Sequence, residues 1–261
     1  MNDEAKWTTS ITDIKPNKIL LKGYPLDELM EKISFAQVVY LILKGELPSE
    51  NVGNIIDAIL VSSIDHGVTP PSALATMTVT STGAPINAAI SAGILAISEF
   101  HGGAIEECMR TLISCAELKR KENLSILQSA EKFVQKAIES KKPISGLGHR
   151  IHTDDPRTKK LFEMAKECKI EGEYIETIKA IESAFEKSKG KKLPINVDGA
   201  IAAILCELGF DPILANAFFI IARVPGLVAH FYEERTTQKP MRKIDPSNWV
   251  YNGPEERHIS S

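Results

Sequence analysis

Apolar residues return every three or four positions along most of this chain, the spacing that turns one face of an α-helix inward. The pattern predicts a helix over residues 25–44, with Leu26, Met30, Ile33, Val38, Leu41 and Ile42 as apolar positions, and another over 51–65, with Ile55, Ile59 and Val61 facing inward. Residues 84–99 are rich in Ala, Gly and Ile. Such small side chains let helix backbones approach closely, so this helix is expected to be central and buried. Segments 106–118 and 124–140 carry more charge and are expected at the surface. Further helices are predicted over 157–168, 171–187 and 196–209, and from Asp211-Pro212 to about residue 234, because proline is tolerated at the first helical position. Residues 143–157 hold Gly146, Gly148 and Pro156 and read as a loop, and 188–192 as a solvated turn. Strand signals are confined to 8–14 and 18–22, a short N-terminal ribbon around Pro16-Asn17; the tail from Thr236 has three prolines and little periodicity. The fold class this predicts is all-α.

Composition narrows the function more than the fold. The 261 residues are 43% hydrophobic and 25% charged, ordinary for a globular protein with a large core. A net charge of -3 gives no general attraction to nucleic acid, and an anionic ligand would need a local cluster of cations. The four cysteines (Cys108, Cys115, Cys168 and Cys206) form no CxxC pair and no metal-ligand spacing, so reduced thiols and no metal are expected. Residues 1–10 are polar and lack a signal-peptide apolar run, and unbroken apolar stretches such as 215–222 fall short of a bilayer span, so no membrane association and a cytoplasmic location are expected.

Candidate chemistry sits in separated clusters, each placing a titratable group beside a glycine. They are Ser63-Ile64-Asp65-His66-Gly67, Phe100-His101-Gly102-Gly103-Ala104, Gly146-Leu147-Gly148-His149-Arg150 with Asp155-Pro156-Arg157, and Pro194-Ile195-Asn196-Val197-Asp198-Gly199. Taken singly, several have plain structural explanations. His66 reads as a histidine at a helix end, the glycines after His101 as the stop of helix 84–99, and Asp198 as the N-cap of an apolar helix. Arg223 is harder to explain structurally. It stands between Phe218-Phe219-Ile220-Ile221-Ala222 and Val224-Pro225-Gly226-Leu227, and a buried guanidinium is costly unless it meets an anion. His152, His230 and His258 have no comparable context. Arg150, Arg157 and Arg223 suit carboxylates, and Asp198 supplies an acid or base. The set fits chemistry beside a carbonyl in a polycarboxylic acid. It fits neither a GxSxG acyl-transfer site nor a GxxxxGK[ST] nucleotide site, since both motifs are absent.

These clusters, in this order from about Trp7 to Pro254, resemble the citrate synthase superfamily. The stretch from Thr8-Thr9-Ser10 through Gly23-Tyr24-Pro25-Leu26 to Asp65-His66-Gly67, together with Gly148-His149-Arg150, looks most similar to the citrate-synthase-like module of ATP-citrate lyase and to stand-alone citryl-CoA lyase. The resemblance implies an all-helical fold with a large domain (1–103 and 213–261), a small domain (104–212) and an active site in the cleft between them. It implies that His66, Arg150, Arg157 and Arg223, with His149, hold oxaloacetate or the citryl group. His101 would hydrogen-bond the thioester oxygen, and Asp198 would serve as acid or base at the acetyl methyl carbon. Pro143, Ile144, Ser145, Gly146, Leu147 and Gly148 would contact CoA, and Lys239, Arg242 and Lys243 in the tail would meet its phosphates.

The reaction so implied is cleavage of citryl-CoA to acetyl-CoA and oxaloacetate, with His149 handling the hydroxyl proton and no cofactor beyond the CoA of the substrate. Two alternatives stand beside it: a citrate or 2-methylcitrate synthase, which would also hydrolyse the thioester, and a non-catalytic or partner-dependent subunit of an ATP-citrate lyase-type assembly. A homodimer or higher homo-oligomer, with a citryl-CoA-forming ligase as partner, follows from the resemblance.

Overall fold

A computed structural model describes residues 7–148 and 155–242, and among them the chain forms eleven α-helices and one small sheet. The N-terminal strands β1 (Thr12–Lys15), β2 (Lys18–Leu21) and β3 (Tyr24–Pro25) pair antiparallel in that order, with Ile14 opposite Ile19 and Leu21 opposite Tyr24. The ribbon expected there thus gains a third strand. It covers a small apolar cluster of Leu21, Leu29 and Leu41.

The helix expected over 25–44 is two helices, α1 (Leu26–Lys32) and α2 (Phe35–Lys44). The break is chemical: Ser34 accepts from the Gln37 amide while the Gln37 side chain accepts from the Ser34 amide, a reciprocal cap that starts a new helix. Helix α3 (Glu50–Ser62) follows, and then α4 (Pro71–Ser81), which the apolar spacing did not reveal. Its buried face is built largely from Ser72, Thr76, Thr80 and Ser81, so it shows no apolar stripe.

Two expectations about depth are reversed. Helix α5 (Ile86–Leu95) buries only Ala89 and Gly93, and leaves Leu95 81% exposed. Helix α6 (Ala104–Glu122), expected at the surface, runs through the main core with Ile105, Met109 and Leu112 fully enclosed, packed by α7 (Ile126–Glu139), α9 (Glu173–Lys189), α10 (Val197–Glu207) and α11 (Ala215–Thr237). For α6 overall charge misled, because depth depends on which face carries the charge; for α5 small residues gave close contact along one side without enclosing the helix. The small residues of α5 nevertheless do what was expected of them locally. A Cβ on Gly93 would stand 2.2 Å from Thr76 Oγ1 and 2.8 Å from Leu227, so α4, α5 and α11 meet there at a distance only glycine allows.

Helix α10 is apolar on all sides, from Ala200 to Leu205, as befits a helix surrounded by others. It is tied to α9 at both ends. Glu207 accepts from the amides of Tyr174 and Ile175 at the start of α9, and Glu182 of α9 accepts from the Ile195 amide just before α10. Helix α8 (Pro156–Glu167) packs between α3 and α10. The turn Pro212–Leu214 and α11 together run 26 residues and contain an 18-residue window of mean hydropathy 1.7, long and apolar enough to cross a bilayer, which the short run 215–222 did not suggest. Its inward face carries Arg223, His230 and Glu234, and it packs on α3, α4, α5 and α6. The four cysteines are free thiols.

Leu112 is wholly enclosed in the main core, so Leu112→Ala removes buried methyl groups and leaves a cavity. The expected cost is about 2–5 kcal/mol, measured as the fall in unfolding free energy by urea titration.

Candidate functional site

Arg223 lies on the inward face of α11, 3% exposed. Its Nε donates to the Ser63 carbonyl at 3.0 Å and its guanidinium carbon sits 4.8 Å from the Phe219 ring centre, one helical turn back. Its Nη1 is buried and has no hydrogen-bond partner among the described residues. Desolvation favours the neutral form, as does Arg157, while Asp65 and Asp198 favour the charged one; the net direction is downward. A guanidinium remains charged regardless, so the site holds a fixed cation with one prong unused.

His101 meets the same ring. It sits in a tight turn in which His101 and Ser98 exchange backbone hydrogen bonds at 2.9 Å, and Gly102 follows at φ +92°. A Cβ at Gly102 would press on Ile97 and Phe219, each at 2.8 Å, so the glycine makes this turn and does not end α5, which stops at Leu95. The imidazole packs edge-on against Phe219 at 5.6 Å, and its Nε2 lies 2.8 Å from Ser72 Oγ. Burial, with Arg223 added, pushes the imidazole down, toward the neutral form.

Arg157 and Asp198 approach from another direction. Asp155, 2% exposed, caps α8 by accepting from the Arg157 amide, and also takes the Arg157 Nε and Nη2 at 3.0 and 2.8 Å. This leaves the Arg157 Nη1 near the Ser62 carbonyl at 3.4 Å. Asp198 is not the N-cap of α10, as expected. Asn196 is, accepting from the Gly199 amide at 3.0 Å, and Asp198 stands in the first turn. The Asn196 side chain reaches the other way to donate to the Gly148 carbonyl, and its amide donates to Gly146, so the loop before Gly148 is strapped to the start of α10. The strap is close: a Cβ on Gly199 would lie 2.3 Å from the Gly146 carbonyl oxygen. Beneath it Cys108 is fully enclosed, its thiol pushed well up by burial. Asp198 is half-buried by area but walled in by protein. That desolvation raises its carboxyl, Asp155 adds to it, and Arg157 and Arg223 pull the other way.

The structure thus brings Arg157, Asp198 and His101 each within electrostatic reach of Arg223, and Arg157 within reach of Asp198. His66 is exposed in the turn after α3, between Asp65 and Gly67. Pro143, Ile144, Ser145, Gly146, Leu147 and Gly148 form the strapped loop, and its first residues border two clefts of about 530 and 490 Å³ that share Lys142 and Pro143. Arg242 pairs with buried Glu234 and Met241 donates to the Ser81 carbonyl; Lys239 is exposed nearby. Glu234 is eleven residues beyond Arg223, roughly 16 Å along the helix axis, which sets these tail cations apart from Arg223 within one chain. His149, Arg150 and Lys243, like His152 and His258, lie outside the described residues.

Three residues of this neighbourhood escaped the sequence. Ser72 lies on α4, which was not foreseen. Phe219 precedes Arg223 by four positions, the helical neighbour spacing, and was read only as part of an apolar run. His230, set aside as lacking context, is 8% exposed and holds Asp65 through Nε2 at 2.9 Å. Its signal was the spacing of seven residues from Arg223, two turns along the same face.

Residues 48–244 match the family described as citrate synthase, C-terminal domain. Among solved structures, the chain is similar to citryl-CoA lyase from Hydrogenobacter thermophilus, at 45% identity and a TM-score of 0.89 over 97% of both chains. It also superposes on ATP citrate lyase from Methanothrix soehngenii at TM-score 0.81 and 21% identity, covering 98% of this chain and 43% of that one, a likeness of fold. Citrate synthase 2 of Bacillus subtilis is 30% identical over 90% of this chain, which spans 60% of that relative's length.

The raised Asp198 carboxyl makes a prediction about stability. The unfolded chain releases this proton at an ordinary carboxylate pKa of about 3.9, whereas the folded chain keeps it to higher pH. Stability is therefore lost as pH rises from the unfolded toward the folded value. Asp198→Asn removes that loss: in thermal melts the variant should match the parent near pH 4 and melt higher at neutral pH.

Proposed function

Because this chain belongs to the citrate synthase family, we propose that it cleaves citryl-CoA to acetyl-CoA and oxaloacetate, a Claisen-type addition run in reverse. The observation that carries the reading is the buried Arg223 guanidinium with a free prong, in reach of His101, Asp198 and Arg157. A desolvated cation of this kind calls for an anionic ligand, and a citryl group brings three carboxyl positions, one of them as the thioester. The likeness to a citryl-CoA lyase along almost the whole of both chains favours cleavage over synthesis.

In this reading Arg223 and Arg157 grip carboxylates, with His66 and Arg150 completing the grip, and His149 takes the proton of the tertiary hydroxyl. The carbon–carbon bond breaks, its electrons pass to the thioester as an enolate, and the carbinol carbon becomes the ketone of oxaloacetate. His101, biased to the neutral imidazole, donates to the enolate oxygen without carrying a charge that acid–base equilibrium could remove. Asp198 protonates the enolate carbon, and its raised pKa favours the acid form that step needs. The Pro143–Gly148 loop holds CoA, with Lys239 and Arg242 meeting its phosphates. The large unit (1–103 and 213–261) would then supply His66, His101 and Arg223, and the small one (104–212) Arg157, Asp198 and the loop, so that closing the two completes the site. A cytoplasmic homo-oligomer, supplied with citryl-CoA by a separate ligase, completes the proposal. The exposed apolar residues of α5, Ile86 and Leu95, support self-association.

Synthetic citryl-CoA is expected to yield acetyl-CoA and oxaloacetate in equal amounts, resolved by liquid chromatography. Release of free CoA with citrate would mark a synthase and overturn the proposal. Asp198→Asn should lower kcat by about 10²–10⁴ with the fold retained. Arg223→Leu should weaken oxaloacetate binding by about 3 kcal/mol, the scale of a buried ion pair broken at one end, measured by isothermal titration calorimetry.

A further inference from the structure

The face of α11 that carries Arg223 follows the turn after α3 residue by residue. Arg223 donates to the carbonyl of Ser63. One turn on, Gly226 lies so close to Ile64 that a Cβ there would stand 2.3 Å from the Ile64 oxygen. Another turn on, His230 Nε2 lies 2.9 Å from Asp65 Oδ1. Three successive positions on one helix face thus meet three successive residues of the turn, and the next residue in that turn is His66.

The Asp65 carboxylate is the joint. Its Oδ2 accepts from the Gly67 amide at 2.9 Å, and it also interacts with the His66 amide. One carboxylate therefore holds the backbone of His66 and of the residue after it, while its other oxygen is anchored to the helix. Gly67 has φ +74°, a conformation that glycine adopts without strain and that sets the turn's direction. His230 itself is enclosed, with its side chain 10% exposed. A residue serving packing alone at this position would need no polar atom. An imidazole there makes a directed bond to a single acceptor, and that acceptor is bonded to the backbone of His66.

We propose that His230 is a positioning residue for His66: through Asp65 it holds the turn in the pose that lets His66 meet a carboxylate of the substrate, and so ties that contact to the helix that carries Arg223. This rests on the reading of the site as one for oxaloacetate and the citryl group. His230 does not touch the substrate; it acts through its neighbour.

The test is oxaloacetate affinity by isothermal titration calorimetry on the full chain, with acetyl-CoA affinity and melting temperature alongside. His230→Phe keeps a ring and removes the bond. Because Asp65 is 38% exposed, losing its partner leaves it solvated. The expected result is oxaloacetate binding weaker by roughly tenfold, the scale of one coupled contact, with acetyl-CoA affinity changed less than twofold. His230→Asn, which retains a donor, should recover part of the loss. In a His66→Ala background, His230→Phe should cause no further loss, because a residue acting through His66 has nothing left to position. An equal loss in that background, or a parallel loss of acetyl-CoA affinity, overturns the proposal. Should His230→Phe fail to fold, Asp65→Ala at the exposed turn cuts the same bond from the other side and must show the same selective loss. If His66→Ala weakens oxaloacetate and His230→Phe does not, the positioning role is wrong and the reading of the site stands. If the parent protein does not bind oxaloacetate, that reading fails and this inference fails with it.

Discussion

A guanidinium taken out of water and left with an open prong dominates this structure. Arg223 is enclosed by apolar helix on both sides, stacked on Phe219 and bonded once to a backbone carbonyl. Removing such a cation from water costs several kcal/mol, which one neutral hydrogen bond and a ring face do not offset. The fold tolerates it because carboxylates lie within reach on either side, Asp65 from the turn after α3 and Asp198 from the start of α10. The same field works on its neighbours, adding to burial in making His101 neutral and opposing the burial that raises Asp198. One buried charge thereby biases the protonation of the two groups best placed for proton and hydrogen-bond chemistry.

Helix α11 organises the rest. Its inward face presents Arg223, Gly226, His230 and Glu234 at spacings of three and four, and each has a separate engagement: Ser63, Ile64, Asp65 and Arg242. Opposite it, α10 is clamped to α9 at both ends through Glu207 and Glu182, so the first turn that carries Asp198 has little freedom to slide. The candidate site thus rests on two helices with turns strapped to them, the arrangement that holds a site to a narrow geometry.

Most helices were legible from apolar spacing, because each buries a stripe. Helix α4 was not, since Ser72, Thr76 and Thr80 face inward and a stripe of hydroxyls does not register as hydrophobic. The split of α1 from α2 was written in the sequence as a serine followed three residues later by a glutamine, but the apolar run continued across it. The depth of α6 does not follow from its mean charge, because it keeps Ile105, Cys108, Met109, Leu112, Cys115 and Ala116 inward and its charges outward. That of α5 does not follow from its small residues, because only Ala89 and Gly93 are buried. Within the site, Arg223 stood out as a lone cation in an apolar helix. His230 did not, because its meaning lies in an acceptor 165 residues earlier in the chain. No local pattern encodes such a contact, and the partnership of Phe219 with both His101 and Arg223 was hidden for the same reason.

The thiol under the strapped loop has a chemical consequence. An enzyme that handles thioesters must keep the acyl group on its carrier, and a nearby cysteine is the natural thief, since thiolates exchange with thioesters readily. Cys108 lies directly below Gly146, within the field of Asp198, yet it is 1% exposed and its burial holds the proton on sulfur. Cys115 and Cys206, also enclosed, are pushed up to about 11 and about 12. Thiolate being the reactive form, burial holds these sulfurs in the unreactive thiol form, and the same enclosure spares them from alkylating reagents and peroxide.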